Sequence, residues 1–358
     1  MAKLNFSVIG AGSGGQCFAA ILAMNGHEVT LYDNDLEKID LLKKNKKITL
    51  SGKIEGDAYP TCITDNIEVA LENADVILVT VTTNNHAEVA NKISSLIKNN
   101  QIVILNPGQT GGALEFYNIF KKKNVTDIPI IAETQDLLFS CRSSEPGHVK
   151  LIGIKNIMNI ASVKSKDIEK VISILKPIFP QFNPVKTVLH TSIDNVGAII
   201  HPIPTILNAT KIERKIVFDY YIEGMTPIVA NLVNKVDEER LSIARAFGLE
   251  LDSIKNWLKK SYGVESETLY EAFTTNKAYI GIKAPESLDH RFMYEDIISG
   301  LVPLSCLGKM VGIETPAINS FIEIGSIINK CNYWESGRTL EKMGLEGVGV
   351  NEVYAMFE

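Results

Sequence analysis

The residues best placed to do chemistry begin with the glycine cluster Gly10-Ala11-Gly12-Ser13-Gly14-Gly15, which contains G-x-G-x-x-G at Gly10, Gly12 and Gly15. The cluster follows a strand-like run, Phe6–Gly10, and opens a helical pattern, as a dinucleotide-binding turn requires. Gly10 permits the tight turn, Gly12 lets the backbone approach a pyrophosphate, and Gly15 allows close packing of helix on strand. The anion then rests on the N–H groups at the helix start, which Ser13 and Gly14 supply with their neighbours. Asp33 ends the next strand, 23 residues after Gly10, near the spacing of an acid that binds the adenosine ribose. Its carboxylate accepts hydrogen bonds from a 2′-hydroxyl and repels a 2′-phosphate. All the arginines lie at Arg142 or later, so none stands beside Asp33 to grip such a phosphate, although Lys38 is near. NAD(H) is therefore the preferred cofactor, with NADP(H) possible. Thr80, Val81 and Asn106 close later strands, at the carboxyl ends where ligands bind in parallel sheets.

A hydride carrier needs a partner for proton transfer and a group that orients substrate. There are six histidines. His27 reads as part of a surface turn, and His86 opens a helix. His201 differs in its setting, Ile199-Ile200-His201-Pro202-Ile203-Pro204, a single polar ring in an apolar run. Pro202 is expected to bias His201 away from helical backbone. In His290-Arg291-Phe292-Met293-Tyr294-Glu295-Asp296, Arg291 offers a planar fork that matches a carboxylate. Asp296 is able to orient an imidazole and stabilise its cationic form. On the residues alone, a satisfied core histidine and an acidic helix start account for these positions as well as catalysis does.

The elements that must position these groups read as two domains, placed at residues 1–185 and 186–358. The first alternates short apolar runs with amphipathic stretches, the signature of a parallel α/β sheet. Its expected strands are Phe6–Gly10, Glu28–Tyr32, Val76–Val81, Ile102–Leu105 and Ile128–Ala132, with Val149–Ile154 and Ile157–Val163 after Pro146-Gly147. Expected helices are Gly14–Asn25, Leu36–Asn45, Ile67–Glu72, His86–Lys98 and one around Asp167–Ile178. Ile48–Thr64, with Gly52, Gly56 and Pro60, reads as an inserted hairpin. Helical periodicity dominates the second domain: Pro204–Ile216, Tyr220–Asn234, Glu238–Phe247, Leu251–Ser261 and Gly308–Asn329.

Composition narrows the function classes. The chain has 358 residues, 45% hydrophobic and 22% charged, with a net charge of −6. This is an ordinary globular balance, and a mildly acidic surface has no general attraction for nucleic acid or anionic membrane. No apolar run reaches the roughly eighteen residues of a membrane span. With a strand-like run so early, no cleaved secretory leader is expected. Cys17, Cys62, Cys141, Cys306 and Cys331 are far apart and lack C-x-x-C spacing, so neither a disulfide framework nor a metal site is expected. The expected setting is a reduced cytoplasm.

Several stretches carry a family likeness. They are the glycine fingerprint, Asn106-Pro107-Gly108-Gln109-Thr110-Gly111-Gly112-Ala113-Leu114-Glu115-Phe116, Glu133-Thr134 leading to Cys141-Arg142, and Ile200-His201-Pro202. Arg291 with Glu295-Asp296-Ile297, Gly300-Leu301-Val302-Pro303 and Thr315-Pro316 complete the series. In this order and spacing, over nearly the whole chain, the sequence resembles the opine dehydrogenases, which include octopine dehydrogenase and the N-(1-carboxyethyl)-amino acid dehydrogenases. The resemblance implies an α/β Rossmann domain followed by an all-α domain, in the arrangement of 6-phosphogluconate dehydrogenase. It implies NAD(P)H-dependent reductive condensation of a 2-oxo acid, with pyruvate the expected one, and the amino group of an L-amino acid. The reaction passes through an imine to an N-(1-carboxyalkyl) amino acid. In that likeness His201 is the general acid/base, Asp296 its partner and Arg291 the anchor of a substrate carboxylate. Gln109 and Thr134 are further polar contacts to substrate. The partners it implies are these two small molecules, and the apolar helices suit a homodimer. Two positions depart from the pattern. Gly197 stands where relatives often carry asparagine, with Asn195 nearby but out of phase, and Thr82 replaces the usual proline after Val81. The competing readings are an oxo-acid reductase of β-hydroxyacid or ketopantoate reductase type, which needs no amine, and a dinucleotide sensor without chemistry.

Overall fold

The structure, a computed structural model, describes residues 3–358. The chain divides into two compact units. One takes in the residues up to Gly108, then Gly112–Thr191 and Met356–Glu358; the other comprises Gln109–Gly111 and Ser192–Ala355.

The first unit is built on twelve strands: β1 Asn5–Ile9, β2 Glu28–Tyr32, β3 Ile48–Gly52, β4 Gly56–Ala58, β5 Cys62–Thr64, β6 Val76–Val79, β7 Ile102–Leu105, β8 Ile130–Thr134, β9 Phe139–Glu145, β10 His148–Ile154, β11 Met158–Ser162 and β12 Phe182–Pro184. An eight-stranded sheet runs β12-β11-β8-β7-β6-β1-β2-β5. Every pair in it is parallel except β8 with β11. All four residues of β6 and of β7 are buried, which is why these strands are continuous apolar runs rather than alternating ones. The helix Ser13–Met24 supplies Cys17, Phe18, Ala19 and Leu22 to the core formed with Phe6, Val8, Val29 and Leu31.

Two local expectations for this unit are corrected. Ile48–Thr64 is not wholly a hairpin insert. β3 and β4 pair antiparallel in a separate four-stranded sheet, β4-β3-β10-β9, whereas β5 extends the main sheet beside β2. His27 is buried, not on a surface turn; its ring meets Phe6 edge-on at 5.1 Å.

In the second unit, Tyr220–Asn234 and Glu238–Phe247 are not two helices. A single helix, Pro227–Ala246, is capped by the Thr226 hydroxyl. The polar stretch that suggested a break holds a buried ion pair, Arg240 Nη2 to Asp237 Oδ1 at 2.7 Å. Arg240 also donates to the carbonyls of Ile193 (3.2 Å) and Asp252 (2.7 Å). Buried Glu239 accepts the N–H groups of Ala317 and Ile318, both at 2.9 Å, so its charge caps the helix Pro316–Asn329. Conversely, Gly308–Asn329 divides into the end of Val302–Met310 and Pro316–Asn329, with Gly312 at φ +71° in the turn.

Candidate active site

In the first unit β1 leads straight into the glycine loop. Gly10 has φ +104°, and a side chain there would meet Val81 Cγ1 at 2.9 Å. A Cβ on Gly15 would stand 1.7 Å from the Gly10 carbonyl oxygen, and one on Gly14 3.2 Å from Leu137 Cδ1. A Cβ on Gly12 would meet nothing within 4 Å. Thus Gly10 and Gly15 are demanded by packing, while the space at Gly12 is open for a ligand to approach the backbone. Thr80 Oγ1 donates to the Gly10 carbonyl at 2.9 Å and shapes the loop from behind. Ser13 begins the helix, and its hydroxyl accepts the Ser143 N–H at 2.9 Å.

Asp33 is buried and does more than await a ribose. Its Oδ2 accepts the Ala11 N–H at 2.7 Å and Lys38 Nζ at 3.1 Å, while Oδ1 accepts the Asp35 N–H at 3.0 Å. Lys38 also pairs with Asp35 at 3.4 Å, so two carboxylates already claim its charge. A cavity of about 110 Å³ is lined by Gly10, Tyr32, Asp33, Val81, Asn85 and Lys92 among others. Asn106 is buried; its Oδ1 accepts the Leu138 N–H at 3.2 Å and its Nδ2 has no hydrogen-bond partner. Thr134 is fully buried, with its hydroxyl donating to the Asp136 carbonyl at 2.9 Å. The open backbone at Gly12, the carboxylate behind the loop and the adjoining cavity suit a dinucleotide.

The second unit brings His201 and Asp296 together, 95 residues apart in sequence: His201 Nδ1 donates to Asp296 Oδ2 at 2.9 Å. Asp296 is almost fully buried, whereas the His201 side chain keeps 19% of its surface exposed. The bond fixes the ring's direction and leaves Nε2 for proton transfer. Gln109, at φ +53°, donates from Nε2 to the other carboxylate oxygen, Oδ1, at 3.4 Å. Arg291 opens the helix Arg291–Asp296, with a half-exposed guanidinium 3.8 Å from Glu295.

The backbone at His201 departs from expectation. His201 lies in the right-handed helical region (φ −96°, ψ −61°), not away from it, despite Pro202. It closes the helix Gly197–Ile200 and starts Pro202–Leu207. Pro202 takes the first helical position, where its missing N–H costs nothing. The His201 carbonyl accepts the Thr205 hydroxyl at 2.8 Å and the hydroxyl of buried Tyr220. These bonds override the local preference. Burial pushes the Tyr220 phenol far above its ordinary range, so it remains a donor at any working pH.

Sequence reasoning misses Phe292 and Arg338, and places Asn195 only as an asparagine out of phase. Phe292 stacks on the His201 ring at 4.2 Å and 11°; its place four residues before Asp296 on one helical face was the available signal. Asn195 Nδ2 donates to Thr110 Oγ1 at 3.2 Å, and a Cβ on Gly197 would stand 3.4 Å from Asn195 Oδ1 and 3.5 Å from His201 Cε1. The glycine thus leaves room beside both side chains. The buried Arg338 donates to the Thr110 carbonyl at 2.8 Å, and the Thr110 N–H donates to the Ser299 carbonyl at 3.1 Å. Ser299 lies in a π-helical turn, Ile297–Leu301, directly after Asp296. Such turns recur at functional sites.

Among the described residues no helix is long and apolar enough to cross a membrane, and no group of His, Cys, Asp and Glu suits a metal ion.

Comparisons with known proteins agree across the chain. Residues 184–329 match the family of the NAD/NADP octopine/nopaline dehydrogenase α-helical domain, and residues 5–114 match the N-terminus of NAD-dependent glycerol-3-phosphate dehydrogenase. A solved octopine dehydrogenase with NADH and L-arginine superposes with a TM-score of 0.82 at 19% identity, covering 98% of each chain. Yersinopine dehydrogenase with NADP+ bound gives 0.78 at 15% identity, over 99% of this chain and 98% of that one. An opine dehydrogenase from Arthrobacter sp. (strain 1C) is 42% identical over 344 residues, 96% of each chain. At that identity and coverage, this Rossmann-plus-helical chain belongs to the opine dehydrogenase family.

Proposed function

We propose that the chain condenses pyruvate with the amino group of an L-amino acid and reduces the product at the expense of NADH. The observation that carries this reading is the 2.9 Å His201–Asp296 pair, five residues from Arg291 on one short helix. Gly10, Gly12, Ser13, Gly14 and Gly15 would hold the pyrophosphate, Asp33 the adenosine ribose, and Thr80, Val81 and Asn106 the rest of the dinucleotide. When bound, the cofactor supplies the hydride that reduces the imine carbon.

The protein's own groups manage the protons. Neutral Nε2 of His201 takes a proton from the substrate ammonium, so the freed amine adds to the ketone; the imidazolium then returns that proton to the departing hydroxyl, which leaves as water. The iminium so formed becomes a neutral secondary amine when its carbon takes the hydride. The buried Asp296 carboxylate stabilises the imidazolium whenever His201 holds the proton. Arg291 receives the oxo-acid carboxylate in its planar fork, and Gln109 adds a polar contact to the substrates; Thr134, buried with its hydroxyl given to the Asp136 carbonyl, has no surface to offer them. Asp33 favours NADH over NADPH, because a 2′-phosphate would face its charge while Lys38 is already engaged. None of the cysteines is in a disulfide among the described residues, which suits a reduced cytoplasmic setting.

The test is NADH consumption in a grid of 2-oxo acids against amino acids, with amine-free wells. Turnover that requires both substrates is expected. Equal oxidation of NADH by pyruvate without any amine would replace this reading with an oxo-acid reductase.

A further inference from the structure

Asp296 constrains His201 at one atom only. A single hydrogen bond from Nδ1 sets the ring's direction but leaves it able to rock about its side-chain torsions, carrying Nε2 with it. We propose that Phe292 is the positioning residue that removes this freedom, and that it orders Arg291 at the same time; this rests on the acid–base reading of His201.

Three observations support it. The Phe292 ring lies nearly parallel to the imidazole, 4.2 Å away at 11°, so rocking of His201 toward that side meets its face. The phenyl ring is itself held, edge-on to His290 at 4.7 Å and 86° and backed by the fully buried Tyr220 at 5.3 Å. Tyr220 in turn bonds the His201 carbonyl, so the same tyrosine steadies the backbone of the imidazole and the ring stacked on it. The Arg291 guanidinium carbon lies 6.0 Å from the centre of the Phe292 ring, within reach of a cation–π attraction. One buried ring therefore touches both groups assigned to the substrates, from a helix that also carries Asp296. An aliphatic side chain of similar bulk would fill the space without offering a flat face.

The experiment compares Phe292→Leu, Phe292→Met and the conservative Phe292→Tyr in the full-length protein. The readouts are kcat and KM for pyruvate and the best amino acid, NADH affinity by fluorescence, and the His201 Nδ1–H resonance in 15N-edited NMR. Leu and Met should each lower kcat by roughly 10–100-fold, the scale of a small misplacement of a reacting group. NADH affinity should stay within about twofold, and the Nδ1–H resonance should vanish into exchange with water. Tyr should restore both kcat and resonance. Met keeps the test open where Leu loosens the fold. Unchanged kcat in Leu and Met, or a resonance as sharp as in the parent protein, would overturn the proposal. His201→Asn assayed alongside separates the two ways of failing. If it is inactive while Phe292→Leu is fully active, only the stacking role falls; if it turns over normally, the acid–base reading has failed and takes the stacking role with it.

Discussion

Replacing Asp296 by asparagine changes a charge while keeping the shape, and the structure sets the size of the effect. The carboxylate is 2% exposed and its oxygen is 2.9 Å from His201 Nδ1. With charge centres about 4 Å apart and an effective dielectric of about 20, suited to a partly exposed imidazole, the attraction is about 4 kcal/mol. A hydrogen bond to a charged group measured by mutation is worth about 1.5–3 kcal/mol. A loss of about 2–4 kcal/mol in the step where His201 carries the proton lowers kcat by roughly 30–1,000-fold. An asparagine that turned its amide toward Nδ1 would also select the wrong tautomer and push the loss to the upper end. The assay is steady-state NADH oxidation with saturating pyruvate and amino acid, beside NADH titration by fluorescence. Because Asp296 is bonded to His201 and Gln109 rather than to the glycine loop, NADH affinity should change by less than about twofold. A kcat within about threefold of the parent protein would refute the reasoning.

Other substitutions probe other links. Gly15→Ala forces a methyl to within 1.7 Å of the Gly10 carbonyl, and overpacking of this kind costs about 1–3 kcal/mol; denaturant unfolding should show that loss together with lost NADH binding. Gly12→Ala meets open space, so its stability should stay within about 0.5 kcal/mol while NADH affinity falls, which calorimetry of binding and unfolding would establish. Arg291→Lys loses the bidentate fork and should raise the KM for pyruvate by roughly 10–100-fold, the value of charged hydrogen bonds, with kcat nearly unchanged. Arg240→Ala strands the buried Asp237 and Asp194 carboxylates and should cost about 3–5 kcal/mol of stability, read from urea unfolding.

What was legible in the sequence follows from how locally each feature is determined. β2, β7 and the helix Leu36–Asn45 stand where their patterns put them, since each is a clear apolar run or an amphipathic helix bounded by turn residues. The glycine fingerprint sits between strand and helix because its geometry demands both. Features set by distant contacts were not legible. β3 pairs parallel with β10, about a hundred residues away in sequence, so its place in the second sheet is set by a partner its own pattern does not show. The helix Pro227–Ala246 read as two because Asp237 and Arg240 look like surface charges until their buried pairing is seen. Pro202 misled in the same way: the local preference it imposes on His201 yields to the bonds from Thr205 and Tyr220. At the site, residue types pointed to His201, Arg291 and Asp296, whereas their geometry, and the supports from Phe292, Asn195 and Arg338, depend on chain crossings that spacing alone does not encode.

The central claim is that the imidazole of the helical unit moves the protons of a reductive condensation. His201→Ala, assayed with pyruvate and the preferred amino acid under saturating NADH, puts it to the most direct test, with the N-alkylated product followed by mass spectrometry. The account predicts product formation reduced by roughly 10²–10⁴-fold, with NADH still bound at close to its original affinity. Product accumulating at the parent rate in that variant would contradict it.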